Sequence, residues 1–210
     1  MSPLLPHPSL WRARDHSGTS QAPGLPTGFA SLDRCLPGGG WPQHGLIEIL
    51  ADRHGIGELS IFMPALAALC RETGSGGWLA WVAPPYLPYA PALAGCGIDV
   101  RRVLVVRAQP ADWAMEQALR SGACRAVLGW VRPNGMQALR RLQLAAEQSQ
   151  SLAVLFRRLR DAGEPSPAVL RIALRPDPRG LGLHILKSRG SRPCEVQLGS
   201  LTALVPPGSY

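Results

Sequence analysis

Residues Gly55, Ile56, Gly57, Glu58, Leu59 and Ser60 form a glycine-containing turn of the kind that can wrap an anion. Two glycines one residue apart supply positive φ at low steric cost, and such a turn aims backbone N–H groups inward. A turn of this sort grips a nucleotide only when a lysine follows its last glycine to reach the phosphates and a Ser or Thr then holds Mg²⁺. Here Gly57 is followed by Glu58 and Leu59, so the lysine position carries the opposite charge. A carboxylate pointed into a phosphate cradle repels the nucleotide by on the order of 4 kcal/mol at ~4 Å and an effective dielectric of ~20. Nucleotide hydrolysis is disfavoured on that ground, and a tight structural turn is the plainer reading of Gly55 and Gly57. His54 has no partner at metal-ligand spacing and reads as a surface residue. No catalytic residue, metal or cofactor is expected.

The remaining residues with chemistry to offer are cations. The formal charge is +8 and the pI about 10.1, which fits a polyanionic or acidic partner, or simply a solvated basic face. Residues 1–100 hold five Arg against seven Asp or Glu, so the excess lies after Arg101, and Lys187 is the only lysine. Such an arginine preference is also what a GC-rich genome would produce without any binding site. Arg157, Arg158, Arg160, Lys187, Arg189 and Arg192 are the candidates for contact with DNA or a protein partner, with a solvated rim as the alternative. Trp11 and Arg12 lie in an amphipathic island, Leu10–Arg14, that either anchors a partner or folds back on the parent domain.

The elements that must position these residues follow from apolar runs and turn residues. Residues 1–24 are rich in Pro, Ser and Gly and read as an extended arm, residues 25–199 as one domain, and residues 200–210 as a tail. Leu46–Leu50 is a strand before the turn, and Leu59–Leu69 a helix after it, with Pro64 expected to perturb its first turns. Trp78–Ala83, Val103–Val106, Ala126–Val131 and Ala153–Phe156 are further buried strands, with Trp78 and Trp81 read as core or under-loop packing ahead of base-stacking platforms. Asp112–Arg120 and Asn134–Gln150 are helices between them, and the prolines at 84, 85, 88 and 91 rule out a regular helix in that link. Val169–Leu174, Leu181–Leu186 and Glu195–Leu198 are strands joined by Pro and Gly turns, so they pair antiparallel. The fold class is α/β: a mostly parallel central sheet flanked by helices, with an antiparallel C-terminal edge. Cys35, Cys70, Cys96, Cys124 and Cys194 are odd in number and widely spread, which suits reduced cysteines in a cytoplasmic protein, and no run is long and apolar enough to span a bilayer.

Several strings in this order resemble the RecA recombinase core. They are Gly24–Gly28 with Ser31–Asp33, Gly38–Gly40, Gly45 and Ile47–Ile49, then Leu93–Val100, Glu116–Gly122, and Ile185–Arg189 with Pro193. The likeness extends from about Leu25 to Leu198. The loop reading Gly55–Leu59 and the Trp11–Arg12 element further resemble the degenerate RecA relatives of the SulA-like and ImuA type.

That resemblance implies a RecA-like core without the catalytic groups. The general base of RecA follows its second strand, where Pro84 and Pro85 stand; the carboxylate of its magnesium site falls near Gly129 and Trp130; its polar switch falls near Phe156 and Arg157. It also implies a non-catalytic adaptor in SOS-induced translesion synthesis, partnered by an ImuB-type polymerase homologue and an error-prone replicative-type polymerase, with DNA and RecA as further contacts and no membrane. Lys187 and Arg189 would occupy the strand and turn that in RecA faces a neighbouring subunit's nucleotide. The alternative is a SulA-type division inhibitor that binds FtsZ. RecA's N-terminal oligomerisation helix has no counterpart among the prolines before Gly24, which points to a monomer or a hetero-complex.

Overall fold

A computed structural model describes residues 23–71, 77–188, 193–199 and 201. Its centre is an eight-stranded sheet in the order β3-β2-β4-β5-β1-β6-β7-β8. The strands are β1 (Gly45–Ala51), β2 (Trp78–Val82), β3 (Val103–Val106), β4 (Cys124–Gly129), β5 (Leu152–Arg158), β6 (Leu170–Asp177), β7 (Gly180–Ser188) and β8 (Cys194–Leu198). From β3 to β6 every pairing is parallel, whereas β6, β7 and β8 pair antiparallel. The burial patterns explain the difference. β1 is buried on both faces and reads as an apolar run interrupted only by Glu48, while β7 alternates between core and partly exposed positions, as a strand with one face toward water must.

The helices are α1 (Ala30–Asp33), α2 (Met63–Arg71), α3 (Ala90–Gly95), α4 (Ala111–Arg120) and α5 (Gly135–Gln148). One face of the sheet carries Ile47, Ile49, Trp81, Val154 and Phe156 under Leu32, Phe62, Leu66 and Leu93, and this core continues beneath Leu183, Ile185 and Val196. The other face packs Leu46, Val82, Val127 and Leu155 against Met115, Leu119, Leu139 and Leu142 of α4 and α5. Burying each such leucine contributes on the order of 1.5–3 kcal/mol. Two polar ties fix the second face. Gln143 of α5 accepts the Leu46 N–H at 2.9 Å, which caps the start of β1, and Glu116 of α4 pairs with Arg120 at 2.9 Å and with Arg141 of α5 at 3.0 Å.

Four expectations are corrected. Pro64 does not perturb α2, because the helix begins at Met63 and a proline in the first turn lacks only an N–H that has no intrahelical acceptor anyway. Pro91 likewise stands at the start of α3, so the proline-rich link ends in a short helix. Trp81 is buried as expected, but Trp78, at the start of β2, is 46% exposed. Cys35 and Cys194 are not separate reduced residues: α1 packs against β8 and brings them together as a disulfide with a Cα–Cα distance of 6.4 Å. Among the described residues, no helix is long and apolar enough to cross a membrane.

Candidate functional site

The carboxyl ends of β1, β2, β4 and β5 converge, and the loops that follow them form the candidate site. In open α/β sheets this is the end at which ligands bind. The loop after β1 turns at Gly55 (φ 81°) and Gly57 (φ 105°), backbone conformations that side chains resist. At Gly57 a side chain would in addition meet Leu201, whose Cδ1 lies 2.6 Å from the position a Cβ would take.

The Glu58 carboxylate lies inside this turn. Its Oε1 and Oε2 accept the Gly55 N–H at 2.8 and 3.0 Å, and Oε2 also accepts the Ile56 N–H at 2.9 Å. Glu58 is buried, and His54 Nδ1 stands 3.8 Å from its Oε1, an ion pair whenever the imidazole is protonated. The expected geometry is therefore turned round. The carboxylate does point into the cradle, but as its occupant: backbone N–H groups arranged to hold an anion hold one supplied by the chain itself.

Behind the loop lies a buried ion cluster that sequence reading missed. Glu48, at the middle of β1, is fully buried. Arg171 of β6 stands directly across from it, and Arg157 of β5 lies two positions beyond its other partner, Leu155. Glu48 Oε2 accepts Arg171 Nε at 2.7 Å, while Oε1 accepts Ser166 Oγ at 2.8 Å and Arg157 Nη1 at 3.3 Å. Arg171 also donates to the carbonyls of Asp161 and Ala162, and Arg157 pairs with Glu164 at 2.6 Å and Asp161 at 3.4 Å. Burial pulls the Arg157 pKa down, but the hydrogen bond to Glu164 and the charges of Glu48, Asp161 and Glu164 outweigh it and hold the guanidinium above its ordinary value. The available signal was a charged residue in the interior of each of two apolar runs, Leu46–Leu50 and Val169–Leu174, since such charges need a partner.

Beside the loop, β4 ends at Gly129, where a Cβ would collide with Met115 Sδ of α4. Trp130 follows, stacked on Phe156 with ring centroids 4.5 Å apart, and Phe62 and Trp41 continue the aromatic series across the sheet. Among the described residues, the indole N–H groups of Trp41, Trp81 and Trp130 have no acceptor, and no three His, Cys, Asp or Glu side chains converge as a metal site. Two clefts open here. One, of about 720 Å³, runs between the ends of β4 and β5 and is bordered by Arg132, Arg158, Arg160, Asp161 and Glu164. The other, of about 320 Å³, lies between the Gly55–Ser60 turn and the Pro84–Tyr89 segment.

Of the cations proposed from sequence, Arg158 is exposed on the larger cleft, and Arg160 is exposed beside it. Arg157 is corrected: it was expected to face a partner or DNA, but the register of β5 against β1 turns it inward to Glu48, and its side chain is only 9% exposed. The Lys187 ammonium donates to the Ser166 carbonyl at 2.8 Å, which ties β7 to the segment covering Glu48. Trp11, Arg12, Arg189 and Arg192 lie outside the described residues.

No model of a known protein family matches this chain. Among characterised proteins it is similar to the cell division inhibitor SulA of Edwardsiella piscicida, 34% identical over 118 residues that cover 55% of this chain and 69% of SulA. It is also similar to protein ImuA of Caulobacter vibrioides, 30% identical over 199 residues that cover 81% of each chain. Among solved structures, SulA from Pseudomonas aeruginosa matches 53% of this chain and 97% of its own at 27% identity, with a TM-score of 0.43. With 30% identity to ImuA across 81% of both proteins, the chain belongs to the family of SulA and ImuA.

Proposed function

We propose that this protein is a non-catalytic adaptor with a RecA-like core, acting in the cytoplasm in SOS-induced translesion synthesis. Its partners are an ImuB-type polymerase homologue and, through it, an error-prone replicative-type polymerase, with DNA as a secondary contact. The observation that carries the reading is the Glu58 carboxylate in the turn that a nucleotide's phosphates would need. A bound triphosphate would have to expel a carboxylate held by three charge-assisted hydrogen bonds, with no lysine to draw it in. Gly129 supports the same reading, since Met115 fills the space a magnesium-binding side chain would take there. The parallel strands from β3 to β6, with a strand, glycine turn and helix at β1, support the RecA-like core. The test is an assay for ATP hydrolysis by the purified chain with Mg²⁺ and single-stranded DNA. No stimulated turnover is expected; turnover that Glu58→Ala abolishes overturns the proposal.

The similarity to SulA, which is the higher in identity but covers only 55% of this chain, favours a second reading as a division inhibitor that binds FtsZ. Overproduction separates the two. Filamentous cells support the inhibitor; normal division with altered damage-induced mutagenesis supports the adaptor.

A further inference from the structure

The two clefts share Pro85 and Trp130 and so lie side by side, a two-part groove across the carboxyl ends of the parallel strands. Its two halves differ in chemistry. At the wider half Arg132 and Arg158 are exposed and make no ion pair among the described residues, and Arg160 reaches only Asp161, at 3.8 Å. At the narrower half Tyr86 and Leu87 are each 73% exposed and Tyr89 is 66% exposed. Consecutive apolar side chains held in water beside a concave site mark a surface made to be covered.

We propose that this groove binds an extended protein segment in which a run of acidic residues is followed by bulky apolar ones. The carboxylates would meet Arg132 and Arg158, and the apolar end would settle on Tyr86, Leu87 and Tyr89. Charge complementarity names the acidic half and exposed apolar area the other. Asp161 and Glu164 decide against a nucleic acid. Both line the arginine half, where a phosphodiester chain with a charge on every nucleotide would run against them along its length, while a peptide confines its carboxylates to a short run that Arg132 and Arg158 can meet. Trp130 already has one ring face covered by Phe156, which leaves less for a base to stack on. The inference rests on the adaptor reading for the source of the segment, the polymerase homologue, but not for its chemistry.

The test uses the full chain in four forms: wild type, Arg132→Glu/Arg158→Glu, Tyr86→Ser/Leu87→Ser, and a control, Arg175→Glu, which lines a separate cleft formed by β6, β7 and β8. The substituted groove residues are exposed, so unchanged unfolding midpoints confirm that the variants fold. Co-purification with the polymerase homologue comes first. Loss of capture in both groove variants, with the control unaffected, supports the groove; equal capture by all four forms overturns it and leaves the adaptor reading standing. Fluorescence anisotropy with a labelled peptide, Asp-Asp-Glu-Asp-Leu-Phe, is independent of that partner. Binding is expected to weaken about tenfold or more in each groove variant, and in the wild type to weaken with added salt. Absence of peptide binding to the wild type overturns the proposal, as does a twenty-nucleotide oligo-dT that binds through Arg132 and Arg158 while the peptide does not. If the peptide binds through the groove but the polymerase homologue is not captured, the groove stands and the adaptor reading falls.

Discussion

Glu48 and Arg171 face each other directly across β1 and β6, with Arg171 Nε donating to Glu48 Oε2 at 2.7 Å where Glu48 has no contact with water. The pair holds together three strands, because Arg157 reaches the same carboxylate from β5. Removing one partner strands the other in a medium that cannot solvate it. Glu48→Leu and Arg171→Leu are each expected to destabilise the fold by about 3–5 kcal/mol, and the double variant by clearly less than their sum. Urea unfolding of the four proteins measures the cycle; additive losses would show that the pair does not act as one unit.

At Gly129 the limit is steric. Gly129→Ala is expected to cost about 1–3 kcal/mol, because the new Cβ drives into Met115 Sδ, and Met115→Ala in the same chain is expected to relieve most of that clash. Gly129→Asp, which places a carboxylate at the strand end, is expected to destabilise further rather than to create a magnesium site. Unfolding midpoints with and without Mg²⁺ check both statements.

Glu58 organises its loop through three backbone hydrogen bonds. Glu58→Ala leaves the Gly55 and Ile56 N–H groups without their acceptor and is expected to cost about 1–3 kcal/mol, while Glu58→Gln, which keeps one oxygen, is expected to fall between. Amide hydrogen exchange localises the effect: protection at Gly55 and Ile56 should drop in Glu58→Ala while that of β1 persists.

Burial pushes the Cys124 thiol above its ordinary value of 9.0, against a smaller opposing effect of a hydrogen bond to Ser121. A raised thiol pKa means that the folded chain keeps a proton which the unfolded chain releases, so this contribution to stability is whole below pH 9.0 and declines as pH rises through and beyond it. Iodoacetamide labelling followed by mass spectrometry is expected to modify Cys124 more slowly than the half-buried Cys96, with a midpoint displaced above that of the urea-unfolded chain. Equal rates in folded and unfolded protein would contradict it.

The strands were legible where chemistry repeats along the chain. β1 and the apolar part of β5 are covered on both faces and so appear as apolar runs, interrupted in β1 by Glu48 alone, and β7 alternates because water touches one side. The glycine turn and the reversed charge at Glu58 were equally visible. That Glu58 occupies the turn was not, since a charge's sign is written in the sequence but its hydrogen-bond partners depend on how the turn closes. Arg157 and Arg158 read alike as neighbours, yet successive side chains on a strand point to opposite faces, and only the register with β1 shows which of the two meets Glu48. α3 was hidden because Pro91 was counted as a breaker, although a proline at a helix start is compatible with it. The Cys35–Cys194 bridge joins residues 159 apart, a separation at which spacing carries no information about pairing.

The occupant of the glycine turn has one physiological consequence. A tethered carboxylate cannot diffuse away, and its local concentration does not follow the pool of adenine nucleotides in the cell. A loop filled in this way holds the same shape in a starved cell as in a growing one. On the proposed adaptor reading, what times this protein's work is its abundance or its associates, not the energy charge that sets the pace of a motor.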